Sequence, residues 1–362
     1  MIRRIGAGLC MILTLLLVAC SQPEASGTAE AHTGLNEITQ QPEGTLSVHF
    51  IDVGQADAIL LICGGHTMLV DGGNVADSDL IYTYLHKQGV KHLDYCVNTH
   101  PHEDHVGGLA GALHACTVDT VMAPMADYDS DAFQNFKKAV EEQQKCIQIP
   151  EAGEAFPLGE AEVTVLNSGA DDEDINNSSI VLRVVFGSTS FLLTGDAERE
   201  SEQKMIEAGY DLSATVLKVG HHGSETSSSY PFLREVMPRY AIISVGTGNT
   251  YGHPDEAVVS RLRDAGAEIY RTDEQGDIVA VSDGTTVTVT TRRTELPSVL
   301  ENQESDETPA QPNEGNWIGN RNSKKFHRPT CGSLPNEENR VLFSDRESAI
   351  AAGYSPCGLC NP

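Results

Sequence analysis

The chain has 362 residues, with 52 Asp or Glu against 24 Lys or Arg, which gives a formal net charge of −28 at pH 7. This length leaves room for one large domain and a small one. The negative net charge argues against a protein that binds nucleic acid through its whole surface. It does not exclude a nuclease, because metal ions can supply positive charge locally.

The N-terminus has the pattern of a bacterial export signal. A short apolar stretch over residues 13–18 follows two arginines, and Leu17-Val18-Ala19-Cys20 resembles a lipobox. The pattern predicts a signal peptide over residues 1–19 and lipidation of the Cys20 thiol, or else an ordinary signal peptide with an incidental cysteine. Residues 20–45 are predicted to be a flexible tether. We therefore expect an exported protein that is lipid-anchored to the outer face of the cytoplasmic membrane.

The hydrophobic pattern of residues 46–293 predicts an α/β body. Two successive sets of strands and helices, with each sheet covered on one face, predict a four-layer αββα sandwich. Residues 294–314 are acidic and polar and are predicted to be a linker to a small module over residues 315–362. Predicted strands cover residues 46–53, 58–63, 67–70, 93–98, 118–123, 163–166, 180–186, 190–194, 214–219 and 240–245, with closing strands near 278–290, and predicted helices cover 80–88, 109–115, 132–144, 198–208, 230–236 and 255–265.

Four of the nine cysteines lie in the body: Cys63, Cys96, Cys116 and Cys146. An exported protein could pair them as disulfides. Two of them lie in apolar, strand-like runs, so buried thiols are an equally acceptable interpretation. The sequence does not decide between these alternatives.

The most informative segment contains His100, His102, Asp104 and His105 in the pattern His-x-His-x-Asp-His. Imidazoles and carboxylates are the ligands that Zn²⁺, Mn²⁺ and Fe prefer. A predicted strand precedes the segment and a predicted helix follows it. The ligands are therefore expected on a loop at the carboxyl end of a strand, where α/β proteins commonly place their chemistry.

This segment is similar to the signature of the metallo-β-lactamase superfamily. The flanking motifs narrow the resemblance to the extracellular domain of the competence protein ComEC, over about residues 46–290. These motifs are Ile51-Asp52-Val53-Gly54-Gln55-Ala56-Asp57, Val70-Asp71-Gly72-Gly73, Asn176-Asn177-Ser178-Ser179, Leu192-Leu193-Thr194-Gly195-Asp196, Leu217-Lys218-Val219-Gly220-His221-His222-Gly223-Ser224 and Asn249-Thr250-Tyr251-Gly252-His253-Pro254.

The resemblance implies two divalent ions, Zn²⁺ or Mn²⁺. It implies that His100 and His102 hold the first ion and that Asp104 and His105 hold the second. Asp196 would bridge the pair, and His221 or His222 would complete the second site; His221, which comes first after the strand, is the favoured choice. Two Lewis-acidic ions would supply a hydroxide nucleophile near neutral pH and would suit phosphoester hydrolysis.

One departure from the superfamily pattern concerns the first ion. The superfamily usually supplies a third histidine from the loop that here contains Asn176. An amide oxygen is a weaker zinc ligand than an imidazole. We therefore expect the first site to be the weaker one, or to prefer a harder ion such as Mn²⁺.

Four further residues are candidates for supporting roles. Asp71 could orient a metal-bound histidine or serve only as a turn aspartate, and Asp57 could likewise reach the site or act in its own turn. Lys218 could neutralise a phosphate or face solvent from its strand. His253 could protonate the leaving group or satisfy the start of a helix.

The C-terminal module contains His327-x3-Cys331 and Cys357-x2-Cys360. Three sulfurs and one imidazole predict a closed structural zinc site, which so small a module needs for stability. The segment resembles the zinc-binding domain of the Ada DNA-repair protein. A disulfide is the alternative. Basic residues near Trp317 and Phe326 could bind DNA, or the module could be a spacer without a ligand.

The sequence thus predicts a membrane-tethered metal-dependent phosphodiesterase, and the resemblance implies DNA as substrate, in competence or nutrient acquisition. One alternative keeps the chemistry and changes the substrate to a wall or lipid phosphoester, such as a phosphorylcholine ester. Another is a non-catalytic DNA-binding lipoprotein, although the retained metal-binding pattern argues against it.

Overall fold

The computed structural model describes residues 44–169 and 174–292, together with 317–321, 323–328, 331, 334–335, 339–343 and 346–357. The chain divides into two compact units, within residues 1–297 and 298–362. The predicted signal peptide, the tether up to residue 43, the linker, the lipidation site Cys20 and the zinc ligand Cys360 lie outside the described residues. No described helix has the length and apolarity needed to cross a bilayer.

The first unit contains an eight-stranded sheet and a seven-stranded sheet. The first sheet has the order β15-β14-β1-β2-β3-β4-β5-β6. Strands β3, β4 and β5 run parallel to one another. Its strands are β1 (Leu46–Phe50), β2 (Ala58–Cys63), β3 (His66–Gly72), β4 (His92–Val97), β5 (Thr117–Met122), β6 (Ile147–Gln148), β14 (Ile278–Ser282) and β15 (Val287–Thr291).

The second sheet has the order β13-β12-β11-β10-β9-β8-β7. Strands β10 to β13 run parallel in this sheet. Its strands are β7 (Ala155–Leu158), β8 (Ala161–Asn167), β9 (Val181–Phe186), β10 (Thr189–Leu193), β11 (Val216–Lys218), β12 (Tyr240–Ile243) and β13 (Glu268–Arg271).

Helices cover the outer face of each sheet, which confirms the four-layer αββα prediction. Side chains such as Val48, Leu61, Val184 and Ile242 fill the space between the sheets. Helices α1, α3 and α4 cover the first sheet, and α5, α6 and α7 cover the second. The helices are α1 (Ser78–Lys87), α2 (Glu103–Val106), α3 (Leu109–Ala115), α4 (Asp131–Glu142), α5 (Arg199–Glu207), α6 (Tyr230–Val236), α7 (Glu256–Asp264) and α8 (Thr272–Gln275), with 3₁₀ turns at Val75–Asp77, Asn176–Ser178 and Gly220–Gly223.

Several details differ from the sequence prediction, among them the end of the first strand and two edge strands. The first strand ends at Phe50 rather than at residue 53, so that residues 51–57 form a loop. The short strands β7 and β13, at the two edges of the second sheet, were not predicted. Each has only four residues, and β7 contains Pro157, so neither shows a clear apolar alternation and tertiary pairing decides their conformation.

The four cysteines of the body are thiols, and Cys63, Cys96 and Cys116 are buried. Burial raises the pKa of the Cys96 thiol far above its ordinary range, and it raises the pKa of Cys116 to about 11. The sequence left open whether these cysteines form disulfides or remain thiols, and the structure agrees with thiols.

In its described residues, the second unit contains a small four-stranded sheet and the helix α9. Its strands have the order β18-β16-β17-β19. A compact apolar cluster of Phe326, Ala349 and Tyr354 lies against it. The elements are β16 (Trp317–Asn320), β17 (Lys325–His327), β18 (Arg340–Phe343), α9 (Arg346–Ala351) and β19 (Ser355–Pro356).

Candidate metal centre

The His-x-His-x-Asp-His segment follows β4 after Asn98 and Thr99 and continues into α2. Asp71, at the end of β3, fixes its start by accepting hydrogen bonds from the backbone N–H of Thr99 at 2.8 Å and from the Thr99 hydroxyl at 2.6 Å. Asp71 has a φ of 58°, in the left-handed region that a non-glycine residue rarely adopts. The backbone after the segment passes very close to the end of β3, because a Cβ on Gly108 would lie 1.9 Å from the carbonyl oxygen of Gly72.

Asp71 also orients His105. The Nδ1 atom of His105 lies 2.8 Å from Asp71 Oδ2, so its proton is donated to the carboxylate. The Nε2 atom of this buried ring then faces the site with a lone pair. A metal-binding histidine typically makes this arrangement with a carboxylate. The geometry therefore favours the orienting role of Asp71 over a simple turn role.

Three ligand atoms lie together at the position expected for the second ion. Asp104 Oδ2 lies 3.3 Å from His222 Nε2 and 3.9 Å from His105 Nε2. His105 and His222 are buried, whereas Asp104 is partly exposed. His222 donates from Nδ1 to the carbonyl oxygen of Ser244 at 3.0 Å. All three groups could therefore share one cation.

Asp196 lies between the two groups of ligands. It follows β10 through Gly195, whose φ of 51° turns the chain at a place where a Cβ would lie 2.9 Å from Thr99. Its Oδ1 atom is 3.3 Å from His105 Nε2. Its Oδ2 atom lies 3.8 Å from His100 Nε2, 3.7 Å from His221 Nε2 and 3.8 Å from His222 Nε2. This central position fits the bridging role that the sequence predicted.

His100 and His102 supply the ligand atoms of the first group. His100 Nε2 lies 3.1 Å from His102 Nδ1, and both face the same space. The other ring nitrogen of His100 lies near the hydroxyls of Thr99 and Ser179, at 3.2 and 3.4 Å. The structure thus brings together every histidine and carboxylate that the sequence assigned to the two ions.

Unpaired buried atoms test whether divalent cations fit this site. His105 Nε2, His222 Nε2 and Asp196 Oδ1 are buried and have no hydrogen-bond partner among the residues that the structure describes. An unsatisfied buried polar atom costs about 1–3 kcal/mol, and a coordinated cation would satisfy all three. The nitrogen and oxygen donor set matches Zn²⁺ or Mn²⁺. The residues present therefore fit the ions that the sequence pattern predicts.

The electrostatics of the site point in the same direction. Burial alone would raise the pKa of Asp196, but the imidazoles of His105 and His222 outweigh it and hold that pKa well below its ordinary value. Burial alone would lower the pKa of His105, but Asp196, Asp71 and Asp104 raise it well above its ordinary value. The carboxylates therefore remain ionised and favour positive charge between the rings.

The structure corrects the choice between the two adjacent histidines. His222, rather than His221, lies beside Asp104 and His105. His221 was favoured because it comes first after the strand, but both residues have a left-handed backbone, with φ of 50° and 53°. That conformation turns His222 toward the second ion group and leaves His221 near Asp196 and Glu198.

Lys218 is not placed as either interpretation of the sequence required. It neither faces solvent nor reaches a substrate, because it is fully buried and its Nζ atom lies 2.8 Å from Asp57 Oδ2. Nζ also donates to the carbonyl oxygen of Val219 at 2.9 Å. The assignment of Lys218 as a catalytic group is therefore wrong. Asp57 is also buried, and its Oδ1 atom lies 3.6 Å from His222 Nδ1, so it borders the site.

His253 and Asn176 lie at the periphery. His253 is half-buried, with its ring centroid 5.7 Å from that of His221 and its Nδ1 3.4 Å from Gln55 Nε2. Burial and the neighbouring His221 lower its pKa. Asn176 donates from Nδ2 to Glu198 Oε1 at 3.2 Å, and its Oδ1 atom is buried without a hydrogen-bond partner.

Sequence reasoning missed two residues of the site. Glu198 lies 3.1 Å from His221 Nδ1, and the Ser244 carbonyl oxygen orients His222. Glu198 follows Asp196 by two residues, which was the available signal. The backbone carbonyl of Ser244 carries no side-chain signature, so the sequence could not indicate it.

The second unit contains a separate cluster. His327, Cys331 and Cys357 place their ligand atoms within 4.8 Å of one another, and all three residues are buried. His327 Nδ1 lies 3.5 Å from Cys331 Sγ. Burial lowers the pKa of His327, which favours the neutral imidazole that binds a metal. The donor set is that of a structural zinc site, and Cys360 lies outside the described residues.

Comparison with known families agrees with the fold and both sites. A family described as the metallo-beta-lactamase superfamily matches residues 51–247, which is more than half of the chain. The chain therefore belongs to the metallo-β-lactamase superfamily, whose fold implies divalent metals in the large unit. A second family, described as the metal binding domain of Ada, matches residues 310–362. The C-terminal module is thus an Ada-like zinc-binding domain.

Individual relatives connect the body to competence proteins. ComE operon protein 3 from Bacillus subtilis is 30% identical over 250 residues, covering 64% of this chain and 32% of that protein. Competence protein ComA from Neisseria gonorrhoeae is 33% identical over 237 residues, which cover 65% of this chain and 32% of that protein. The chain thus spans about a third of the length of these relatives. A solved structure, the metallo-beta-lactamase fold protein YhfI from Bacillus subtilis, aligns with a TM-score of 0.44 and 14% identity, over 68% of this chain and 100% of that one.

Proposed function

We propose that the large unit is a metal-dependent phosphodiesterase that cleaves DNA outside the cell. The observation that supports this most is the arrangement of ligand atoms from both sheets around Asp196, with three buried atoms left unpaired. The similarity to two competence proteins makes DNA the first substrate to test. The net charge of −28 is compatible with this only if bound cations neutralise the substrate locally.

The residues of the site would bind the two ions in two groups. His100 and His102 would hold one ion. The other ion would be held by Asp104, His105 and His222, and Asp196 would bind both ions. Bound divalent ions supply Lewis acidity toward phosphoryl oxygens and lower the pKa of water toward neutrality.

The supporting residues fix the orientation of these ligands. Asp71 keeps the proton of His105 on Nδ1, and the Ser244 carbonyl does the same for His222. Their Nε2 atoms therefore face the site without reorganisation. His253, half-buried at the periphery of the site, is our candidate for donating a proton to the leaving oxygen.

The test is hydrolysis by the purified full-length chain loaded with Zn²⁺ or Mn²⁺. Bis-p-nitrophenyl phosphate, single-stranded DNA and p-nitrophenylphosphorylcholine are offered in parallel. We expect turnover of the first two. Asp196→Ala should reduce the rate by more than about 100-fold, because even outer partners of metal ligands cost about 10–100-fold. Unchanged rates in this variant would contradict the proposal.

The substrate panel also decides between substrate classes. The acidic body favours a substrate less charged than DNA, such as a phosphorylcholine ester of the wall or of lipids. Turnover of the choline ester alone would select that alternative. Metal binding without turnover of any substrate would instead support a DNA-binding lipoprotein.

We also propose that the chain is exported and anchored through a lipid on Cys20. The lipobox-like residues Leu17-Val18-Ala19-Cys20 support this. Cell fractionation tests it: we expect the wild type in the membrane fraction and Cys20→Ala released from it. Equal membrane retention of both forms would contradict the anchor.

A further inference from the structure

The segment at which the superfamily pattern expects a third histidine is committed to other contacts. Asn177 Oδ1 accepts the backbone N–H groups of Glu198 and Ser201, at 3.0 and 3.3 Å. The Ser179 hydroxyl accepts the backbone N–H of Asp196 at 3.1 Å. The segment therefore positions the residues around Asp196. Of its side chains, Asn176 retains a buried oxygen without a partner.

His221 is arranged as the other metal-facing histidines are. Its Nδ1 atom lies 3.1 Å from Glu198 Oε1, and its Nε2 atom lies 3.7 Å from Asp196 Oδ2. His105 and His222 likewise direct Nδ1 to an oxygen acceptor and Nε2 to Asp196. A hydrogen bond from the outer ring nitrogen to a carboxylate or carbonyl is typical of metal-binding histidines. His221 therefore has the geometry of a ligand.

The backbone separates the two adjacent rings. His221 and His222 both have left-handed φ values inside the Gly220–Gly223 turn, and their ring centroids lie 6.3 Å apart with an interplanar angle of 64°. Such a conformation costs about 1–3 kcal/mol per non-glycine residue and persists where the surrounding structure imposes it. Both rings direct Nε2 toward Asp196, but the second carboxylate beside His222 is Asp104, whereas the one beside His221 is Glu198. We therefore assign the two histidines to different ions.

Glu198 is held in place for this role. Its Oε1 atom accepts hydrogen bonds from the Thr226 hydroxyl at 2.9 Å and from Asn176 Nδ2 at 3.2 Å. Its backbone N–H is fixed by Asn177. Two hydrogen bonds to its carboxylate and one from its backbone hold Glu198, so that it fixes the ring of His221 rather than following it.

We propose that His221, positioned by Glu198, is the third imidazole of the first ion, together with His100, His102 and the bridging Asp196. This inference rests on the two-ion site of the proposed function. It replaces the expectation that Asn176 leaves the first site weak. Zinc affinity of the first site should therefore depend on His221 and not on Asn176.

The test counts zinc in the full-length chain by elemental analysis after reconstitution and dialysis. The wild type should hold two ions in the body and one in the Ada-like module. His221→Asn should lose one of the body ions; Asn tolerates a left-handed backbone, so the turn is kept. Asn176→Ala should keep both, and so should His253→Ala, a control histidine 5.7 Å away between ring centroids.

Double variants assign the lost ion. His102→Ala combined with His221→Asn should lose no more zinc than either change alone, because both residues serve one ion. His222→Asn combined with His221→Asn should lose both body ions. Loss of both ions in the first pair would overturn the inference, as would loss of an ion in Asn176→Ala with full retention in His221→Asn.

Glu198→Gln tests the positioning role without removing a ligand. We expect the first-site zinc affinity to fall by about 10–100-fold while the ion count at saturating zinc stays unchanged. Circular dichroism of each variant checks that the body remains folded. A chain that holds both ions but cleaves no phosphodiester would contradict the proposed function and leave this inference intact, so the two failures are distinguishable.

Discussion

The body and the C-terminal module stabilise their folds by different means. The body has three apolar clusters, one between its sheets and one under each helical layer. Within its described residues, the module has one small cluster, whose buried members are Phe326, Ala349 and Tyr354. Both contain metal-ligating groups. In the body the ligands are placed on a fold that packing already stabilises, whereas in the module the ligands must supply the missing stability.

The largest effect is expected from removal of zinc from the module. Structural zinc contributes about 10–16 kcal/mol in zinc-finger peptides, so chelation should unfold the module. The chain has one tryptophan, Trp317, which lies in β16 with its ring centroid 5.9 Å from that of Phe326. Its fluorescence therefore reports on the module alone. We expect a red shift on chelation while the far-ultraviolet circular dichroism of the body is largely retained.

Cys331→Ser is the matched variant for this experiment, because it removes a ligand without a chelator. It should show the red-shifted emission at all zinc concentrations in the working range. An unshifted spectrum in both experiments would mean that packing alone folds the module. The two units would then not differ in how their folds are stabilised.

The second effect concerns the buried ion pair in the body. Lys218→Met leaves the Asp57 carboxylate buried without its cation, which should lower the free energy of unfolding by about 3–5 kcal/mol. The double change with Asp57→Asn should recover part of that loss, since no unpaired charge remains. Urea unfolding followed by circular dichroism measures both.

Lys204→Met is the control for the ion-pair experiment. Lys204 lies 3.6 Å from Glu200 on the exposed face of α5, where such a pair contributes at most about 1 kcal/mol. An equal effect in the two lysine variants would show that burial of the Lys218–Asp57 pair does not matter to the stability of the body.

A smaller effect is expected from Asp71→Asn. The amide cannot accept the His105 proton as a charged group, so affinity at the second ion should fall by about 10–100-fold. The free energy of unfolding should change less, because the hydrogen bonds to Thr99 can be kept in part. Zinc titration together with urea unfolding separates the two quantities. A loss of stability with unchanged zinc affinity would assign Asp71 to the fold alone.

The sequence predicted the parts of the site that are local in the chain. His100, His102, Asp104 and His105 lie on one loop, so their spacing alone indicated the metal centre. The four-layer fold followed from strands and helices with strong periodicity. The Ada-like ligands were predicted for the same reason, because they lie in two short motifs.

The remaining features depend on conformation or on distant contacts. The orientation of His221 and His222 follows from two positive φ values that no local pattern specifies. The burial of Lys218 requires Asp57 from the loop between β1 and β2, and a lone lysine on a short strand gives no sign of that partner. The orienting contacts of Glu198 and Ser244 likewise form only when the loops of the second sheet meet.

The central claim is that ligands from both sheets hold a pair of cations, and the metal content of the body tests it most directly. The full-length chain is reconstituted with Zn²⁺ or Mn²⁺, dialysed and analysed beside Asp196→Ala. We predict two ions in the body of the wild type, in addition to the zinc of the module, and a loss of body ions in the variant. A wild-type chain that retains only the ion of the module would contradict the account.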